Sequence, residues 1–168
     1  MPRRSAPQAA YGGLDALLVD TLLSRRWEPP TAKDWADVLA RLPLFSRCGK
    51  RQLRKLAGLA QFKEYTPGSI VIQAGDPSDA YYLILGGQAR VLGRPRARRL
   101  RIGDYFGEMG LIDGEPRSAS IAAVDELQVM KLPRRPFLRL LEQEPGIAVA
   151  MLAELARRVR SLEKSHSA

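Results

Sequence analysis

The sequence predicts an α+β protein: an antiparallel β-roll or jelly-roll barrel, preceded by helices and followed by a long C-terminal helix. Three observations predict it. Up to residue 60 the apolar residues recur at helical spacing. From residue 61 to 132, short runs rich in β-branched and aromatic residues alternate with Gly and Pro turn signals. Beyond Pro145, apolar positions again return every three or four residues.

The elements follow in order. The first dozen residues are small, Pro-bearing and unpatterned, so no packed element is expected there. Leu14, Leu17, Leu18 and Leu22 then have the spacing of an amphipathic helix that ends near Arg25–Arg26 and is broken by Pro29–Pro30. Trp35, Val38, Leu39 and Leu42 mark a second helix, for which Thr31 or Asp34 can serve as cap. A third runs from about Lys50 to Ala60, with Leu53, Leu56 and Leu59 inward. Strands are expected over 62–65, 69–73, 81–85, 88–92, 98–102, 118–124 and 127–132. Some seven short antiparallel strands so spaced suggest a closed barrel, which leaves few edges exposed. A short helix from Pro136 to Leu141 precedes the last one, where Ala148, Leu152, Leu155, Val159 and Leu162 form one apolar stripe.

Composition excludes several function classes. Cys48 and His166 are the single cysteine and histidine among 168 residues. A disulfide framework, a zinc finger and a Cys–His or Ser–His–Asp catalytic group therefore cannot be assembled. No enzyme is expected. The longest apolar run, Ile147 to Ala153, is far short of the roughly 18 residues that span a bilayer. Asp15 and Asp20 interrupt any signal-peptide core, so a soluble cytoplasmic protein is expected. The formal charge is +9, from 27 Lys and Arg against 18 Asp and Glu. Six arginines and no acid fall between Arg90 and Arg101, where they serve either as charged strand edges or as a docking surface. Nucleic acid is admitted there only as a non-specific partner.

The segment from Phe106 to Ser120 reads as neither strand nor ordinary turn. Gly107 permits a backbone conformation closed to other residues, and Glu108, Met109, Gly110, Leu111 and Ile112 can form one helical turn after it. A glycine that opens a short helix leaves outward N–H groups suited to an anion. Arg117 follows nine residues after Glu108, past Asp113–Gly114 and Pro116, so both can face one concavity. There a carboxylate accepts from hydroxyls and a guanidinium forks onto phosphate oxygens.

This segment resembles the phosphate-binding cassette of the cyclic nucleotide-binding domain family, found in catabolite activator proteins, protein kinase A regulatory subunits and cyclic-nucleotide-gated channels. The carrying residues are Phe106-Gly107-Glu108, Met109-Gly110-Leu111-Ile112 and Pro116-Arg117-Ser118-Ala119. Pro67–Gly68, Gly75–Asp76, the strand from Tyr81, Gly87 and Gly103–Asp104 fall where the family keeps its turns, and Leu44–Phe45 resembles the lead-in to its first helix. The likeness covers about residues 44–163, giving a tail and helical extension over 1–43 and a nucleotide-binding domain over 44–168. It implies that Glu108 holds the ribose 2′-hydroxyl, that Arg117 pairs with the cyclic phosphate, and that backbone N–H groups near Gly107, Glu108 and Ser118 complete the cradle. Ser118 leaves the base open. Arg158, with Arg157 as neighbour, matches the C-terminal helix arginine that contacts the base in some members. The implied ligand is cAMP ahead of cGMP.

The expected function is thus a stand-alone sensor. The C-terminal helix acts as a lid, and the terminal helices relay occupancy to an unknown protein partner or across a homodimer. The alternative is a DNA-binding regulator of the catabolite-activator type. It needs a helix-turn-helix after the last helix, for which no residues follow Ala168, so it stands only if the sequence is part of a longer chain.

Overall fold

The computed structural model describes residues 30–93 and 99–167. The helix expected over Leu14–Leu22 and the centre of the arginine-rich hairpin lie outside the described residues. Helix α1 (Ala32–Ala40) opens on a capping box. Thr31 Oγ1 accepts from the Asp34 amide at 3.3 Å, and Asp34 Oδ2 accepts from the Thr31 amide at 2.8 Å. Both cap candidates therefore act, each satisfying a donor that the first turn leaves open. A 3-10 turn (Pro43–Phe45) leads to α2 (Lys50–Ala57).

Among the described residues eight strands follow: β1 (Gln61–Tyr65), β2 (Ile70–Ile72), β3 (Ala80–Gly86), β4 (Ala89–Val91), β5 (Arg99–Leu100), β6 (Tyr105–Phe106), β7 (Ile121–Ala123) and β8 (Leu127–Pro133). Helix α3 (Glu108–Asp113) interrupts them between β6 and β7, and α4 (Arg134–Gln143) and α5 (Pro145–His166) close the chain. The strands form two four-stranded antiparallel sheets, in the orders β1-β8-β3-β6 and β2-β7-β4-β5. The expected roll is present, but it is not a closed barrel: no ladder among the described residues joins the two sheets. Strand β6 was not foreseen. Two residues paired at Tyr82↔Phe106 and Leu83↔Tyr105 are too few to show an alternation.

Strand β3 explains how the two halves hold together, because it is buried along its whole length. Successive side chains point to opposite faces of a strand. Tyr81, Leu83 and Leu85 join Trp35, Leu39, Phe45, Leu56, Phe137 and Ile147 in a core between sheet and helices. Ala80, Tyr82 and Ile84 join Phe106, Ile121, Leu127 and Val129 in a second core inside the roll. The helices thus pack on the outside of one sheet, and the cassette sits at the mouth of the other core.

The apolar stripe of α5 faces outward. Leu152, Val159 and Leu162 are 64%, 55% and 61% exposed, whereas Ile147, Met151 and Glu154 are buried. The helix meets the rest of the domain through a face one residue round from the stripe. Between β4 and β5, Arg90 lies opposite Arg99, like charges that weaken a pairing.

Candidate functional site

A cavity of about 500 Å³ opens over the cassette. Its lining includes Phe106, Gly107, Glu108, Met109, Gly110, Arg117, Ser118 and Ala119, eight of the nine residues singled out from the sequence. The ninth, Arg158, reaches the site from α5 and forms an ion pair with Glu108 through Nη1 and Oε1.

Two glycines let the cassette close on itself. Gly107 stands at the N-cap of α3 with φ +81°. A Cβ there would lie 2.5 Å from Arg117 Nη1 and 2.7 Å from the Ala80 carbonyl oxygen. At Gly110 a Cβ would lie 2.2 Å from Ser78 Oγ, the hydroxyl that donates to the Glu115 carbonyl at 2.5 Å. Helix α3 ends at Gly114, whose amide donates back to the Gly110 carbonyl at 3.0 Å. The Arg134 guanidinium packs against that turn and places a cation by the carbonyl end of the helix.

Arg117 is held from both sides. Its amide donates to the Asp76 carbonyl, and its carbonyl accepts from the Gly75 amide, each at 2.8 Å. Nη2 donates to the Ala80 carbonyl at 2.6 Å and to Asp79 Oδ1 at 3.3 Å. The guanidinium carbon lies 5.8 Å from the centroid of the Tyr82 ring, which stacks on Phe106 at 4.9 Å. Arg117 is only 6% exposed, yet its Nε has no hydrogen-bond partner. A buried cation with an unpartnered donor is costly to hold, and this one belongs to a residue that lines the cavity.

Glu108 sits under α5, at the end of a chain of ion pairs. Its partner Arg158 also donates to Glu154 at 3.4 Å, and Arg157 forks onto Glu154 at 2.9 and 2.6 Å. Arg47 approaches the same carboxylate at 3.7 Å. Burial works against the Arg158 charge, but Glu108, and after it Tyr105 and Glu154, more than offset it, so its pKa is raised. The hydrogen bonds from Arg157, acting against burial, lower the Glu154 pKa to about 2 from 4.5. A depressed carboxylate stabilises the fold fully above the unfolded value and loses that contribution as pH falls through the folded one. Acid titrations of stability should therefore show a loss between pH 4.5 and 2 that becomes shallower in Glu154→Gln.

Sequence reasoning missed Glu154, Asp79 and the Ala80 carbonyl. Glu154 carried a signal: it falls on the same helical face as Ile147 and Met151, where a lone acid among apolar positions implies basic partners. The roles of Asp79 and of the carbonyl depend on loop geometry and left no pattern.

Comparison with known proteins agrees with this geometry. The family described as "Cyclic nucleotide-binding domain" matches residues 62–144. A cAMP-dependent protein kinase regulatory subunit of Aspergillus niger is 35% identical over 143 residues, covering 80% of this chain and 33% of its own. The chain spans about a third of the length of the curated relatives it matches. Among solved structures, the N-terminal domain of a transcriptional regulator from Streptomyces coelicolor A3(2) superposes with a TM-score of 0.65 at 27% identity, over 77% of this chain and 95% of that one. A structure titled "cAMP bound PfPKA-R" superposes with a TM-score of 0.60 at 29% identity, over 79% of this chain and 45% of that one. Through its roll and cassette, residues 62–144, this chain belongs to the cyclic nucleotide-binding domain family.

Proposed function

We propose that the cavity binds cAMP, with cGMP as the weaker ligand, and that occupancy is passed to a protein partner through α5. The observation that carries this reading is Arg117, a buried guanidinium on the cavity wall with a donor to spare. Arg117 pairs with the cyclic phosphate and Glu108 accepts from the ribose 2′-hydroxyl. Phe106, Gly107, Met109, Gly110, Ser118 and Ala119 shape the surrounding wall. The similar structure solved with cAMP bound favours this nucleotide. The route outward is the run Glu108–Arg158–Glu154. A ribose that engages Glu108 competes with Arg158, and α5 responds only as far as its two arrangements differ in affinity for the ligand. A homodimer would bury the outward stripe of α5, where Leu152, Val159 and Leu162 are exposed. We place the protein in the cytoplasm, with regulation and not catalysis as its role.

Calorimetric titration of the protein with cAMP and cGMP tests the ligand. Saturable heat with both, tighter for cAMP, is expected. At a hundredfold excess over Kd, binding adds about 2.7 kcal/mol of stability, a rise in Tm of roughly 5–10 °C. Absence of both heat and thermal shift with either nucleotide removes the reading. The likeness to the N-terminal domain of a transcriptional regulator favours one second reading. In it this sensor controls a DNA-binding part that lies outside the sequence, and a ligand-dependent gel shift of the longer chain is the check.

A further inference from the structure

The chain carries four methionines and one cysteine, and the fold treats their sulfurs unequally. Met130 on β8 and Met151 on α5 are buried, at 0% and 4% exposure. Cys48 is buried as well, and desolvation pushes its thiol pKa up, which suppresses the thiolate that oxidants attack. Met1 lies outside the described residues. Met109 is 64% exposed, so among the described residues it is the one sulfur open to solvent. It is the second residue of α3 and lines the cassette cavity together with its neighbours Glu108 and Gly110. The turn that carries it is held on both sides. Gly107 caps the helix at positive φ, and Gly110 packs against the Ser78 side chain. Leu111, fully buried, supplies the core contact of α3, so packing does not require an apolar side chain at position 109.

We propose that Met109 is a site of reversible oxidation by hydroperoxides, and that its sulfoxide weakens ligand binding in the cassette cavity. The thioether sulfur attacks the outer oxygen of the peroxide, forming an S–O bond as the O–O bond breaks. Sulfur loses two electrons and the peroxide gains them; the peroxide's own proton passes to the departing oxygen, which leaves as alcohol or water. A dithiol-dependent sulfoxide reductase reverses the change, releasing water and a disulfide. The consequence for the cavity follows from polarity. A flexible apolar side chain becomes a polar one with a negative oxygen end, next to Glu108 on a wall that would face an anionic ligand. Occupancy works in the other direction, because a bound ligand covers this wall and keeps peroxide from the sulfur. The shielding rests on the nucleotide reading of the cavity, whereas the exposure of the sulfur stands without it.

The test treats the whole protein with limiting hydrogen peroxide and follows each methionine by peptide mass spectrometry, with and without cAMP. Without nucleotide, Met109 is expected to oxidise about tenfold or more faster than Met130 and Met151. Saturating cAMP should slow Met109 several-fold in wild type and leave its rate unchanged in Arg117→Ala. Calorimetry on protein oxidised at Met109 should show cAMP affinity reduced about fivefold or more, restored by the reductase with dithiothreitol. Met109→Leu is compared only with itself, and its affinity should be the same before and after peroxide. Equal oxidation of Met109 and the buried methionines overturns the proposal. So does unchanged affinity after stoichiometric oxidation of Met109, or an unchanged Met109 rate in protein that binds cAMP. Absence of heat with cAMP in untreated protein is instead the failure of the nucleotide reading, and the order of oxidation still decides the modification site.

Discussion

Arg117→Ala eliminates the calorimetric signal for cAMP while the protein still folds. The size of the effect follows from where the guanidinium sits. Truncating one partner of a buried, hydrogen-bonded charge pair costs about 2–5 kcal/mol, or roughly 30-fold to several thousandfold in affinity. Stability changes less, because two effects oppose each other. The variant loses the bond to the Ala80 carbonyl and the contact with Asp79, but it also removes a buried Nε that has no partner. A net loss of about 1–2 kcal/mol is expected in the absence of ligand. Arg117→Lys separates charge from shape. It keeps the cation but cannot reproduce the fork that reaches Ala80 and a phosphate together, so binding returns only in part. Equal thermal stabilisation of wild type and Arg117→Ala by cAMP would falsify the assignment of the phosphate to this residue.

The cassette was legible in the sequence because its chemistry needs residue types that have few substitutes. A glycine at positive φ, a carboxylate and an arginine at short separation leave a linear trace, and Gly107, Glu108 and Arg117 indeed line one cavity. The roll was legible from short β-branched and aromatic runs set between Gly and Pro turn signals. That its two sheets stay unjoined was not, because pairing between sheets depends on register and not on composition. Helix α5 shows the limit most clearly. The apolar stripe at Leu152, Leu155, Val159 and Leu162 is the strongest periodic signal in the last helix, yet most of it faces outward. Ile147 and Met151 bury the helix through fewer residues, helped by Glu154, whose charge is matched by arginines on two elements. A hydrophobicity pattern cannot register a buried face that is held partly by ion pairs. Arg158 was expected at the base of a nucleotide, and the structure sets it on Glu108. Arg158 lies on the last helix, as its spacing predicts, but its partner depends on how α5 crosses the cassette.

Gly107→Ala reduces both folding stability and nucleotide binding, and two other glycines show why. Gly68, Gly75 and Gly107 have φ of +82°, +86° and +81°, so an alanine pays the same left-handed strain at each, about 1–2 kcal/mol. At Gly68 and Gly75 nothing lies within 4 Å of the added Cβ, and strain is the whole cost. At Gly107 the methyl would meet Arg117 Nη1 at 2.5 Å and the Ala80 carbonyl oxygen at 2.7 Å. Neither neighbour yields easily. Ala80 is fully buried in β3, and Arg117 is pinned by that same carbonyl. The expected total is about 3–5 kcal/mol, the range reserved for strain combined with overpacking. The excess over Gly68→Ala and Gly75→Ala, read from denaturant midpoints, measures the close approach alone. Relief of the clash pushes the guanidinium off the Ala80 carbonyl and tilts the start of α3, which carries Glu108. Affinity for cAMP should therefore fall at least tenfold in Gly107→Ala and stay within about twofold in the other two. Equal stability losses at all three positions would show that Gly107 is needed for its backbone angle only, and that Arg117 is free to move.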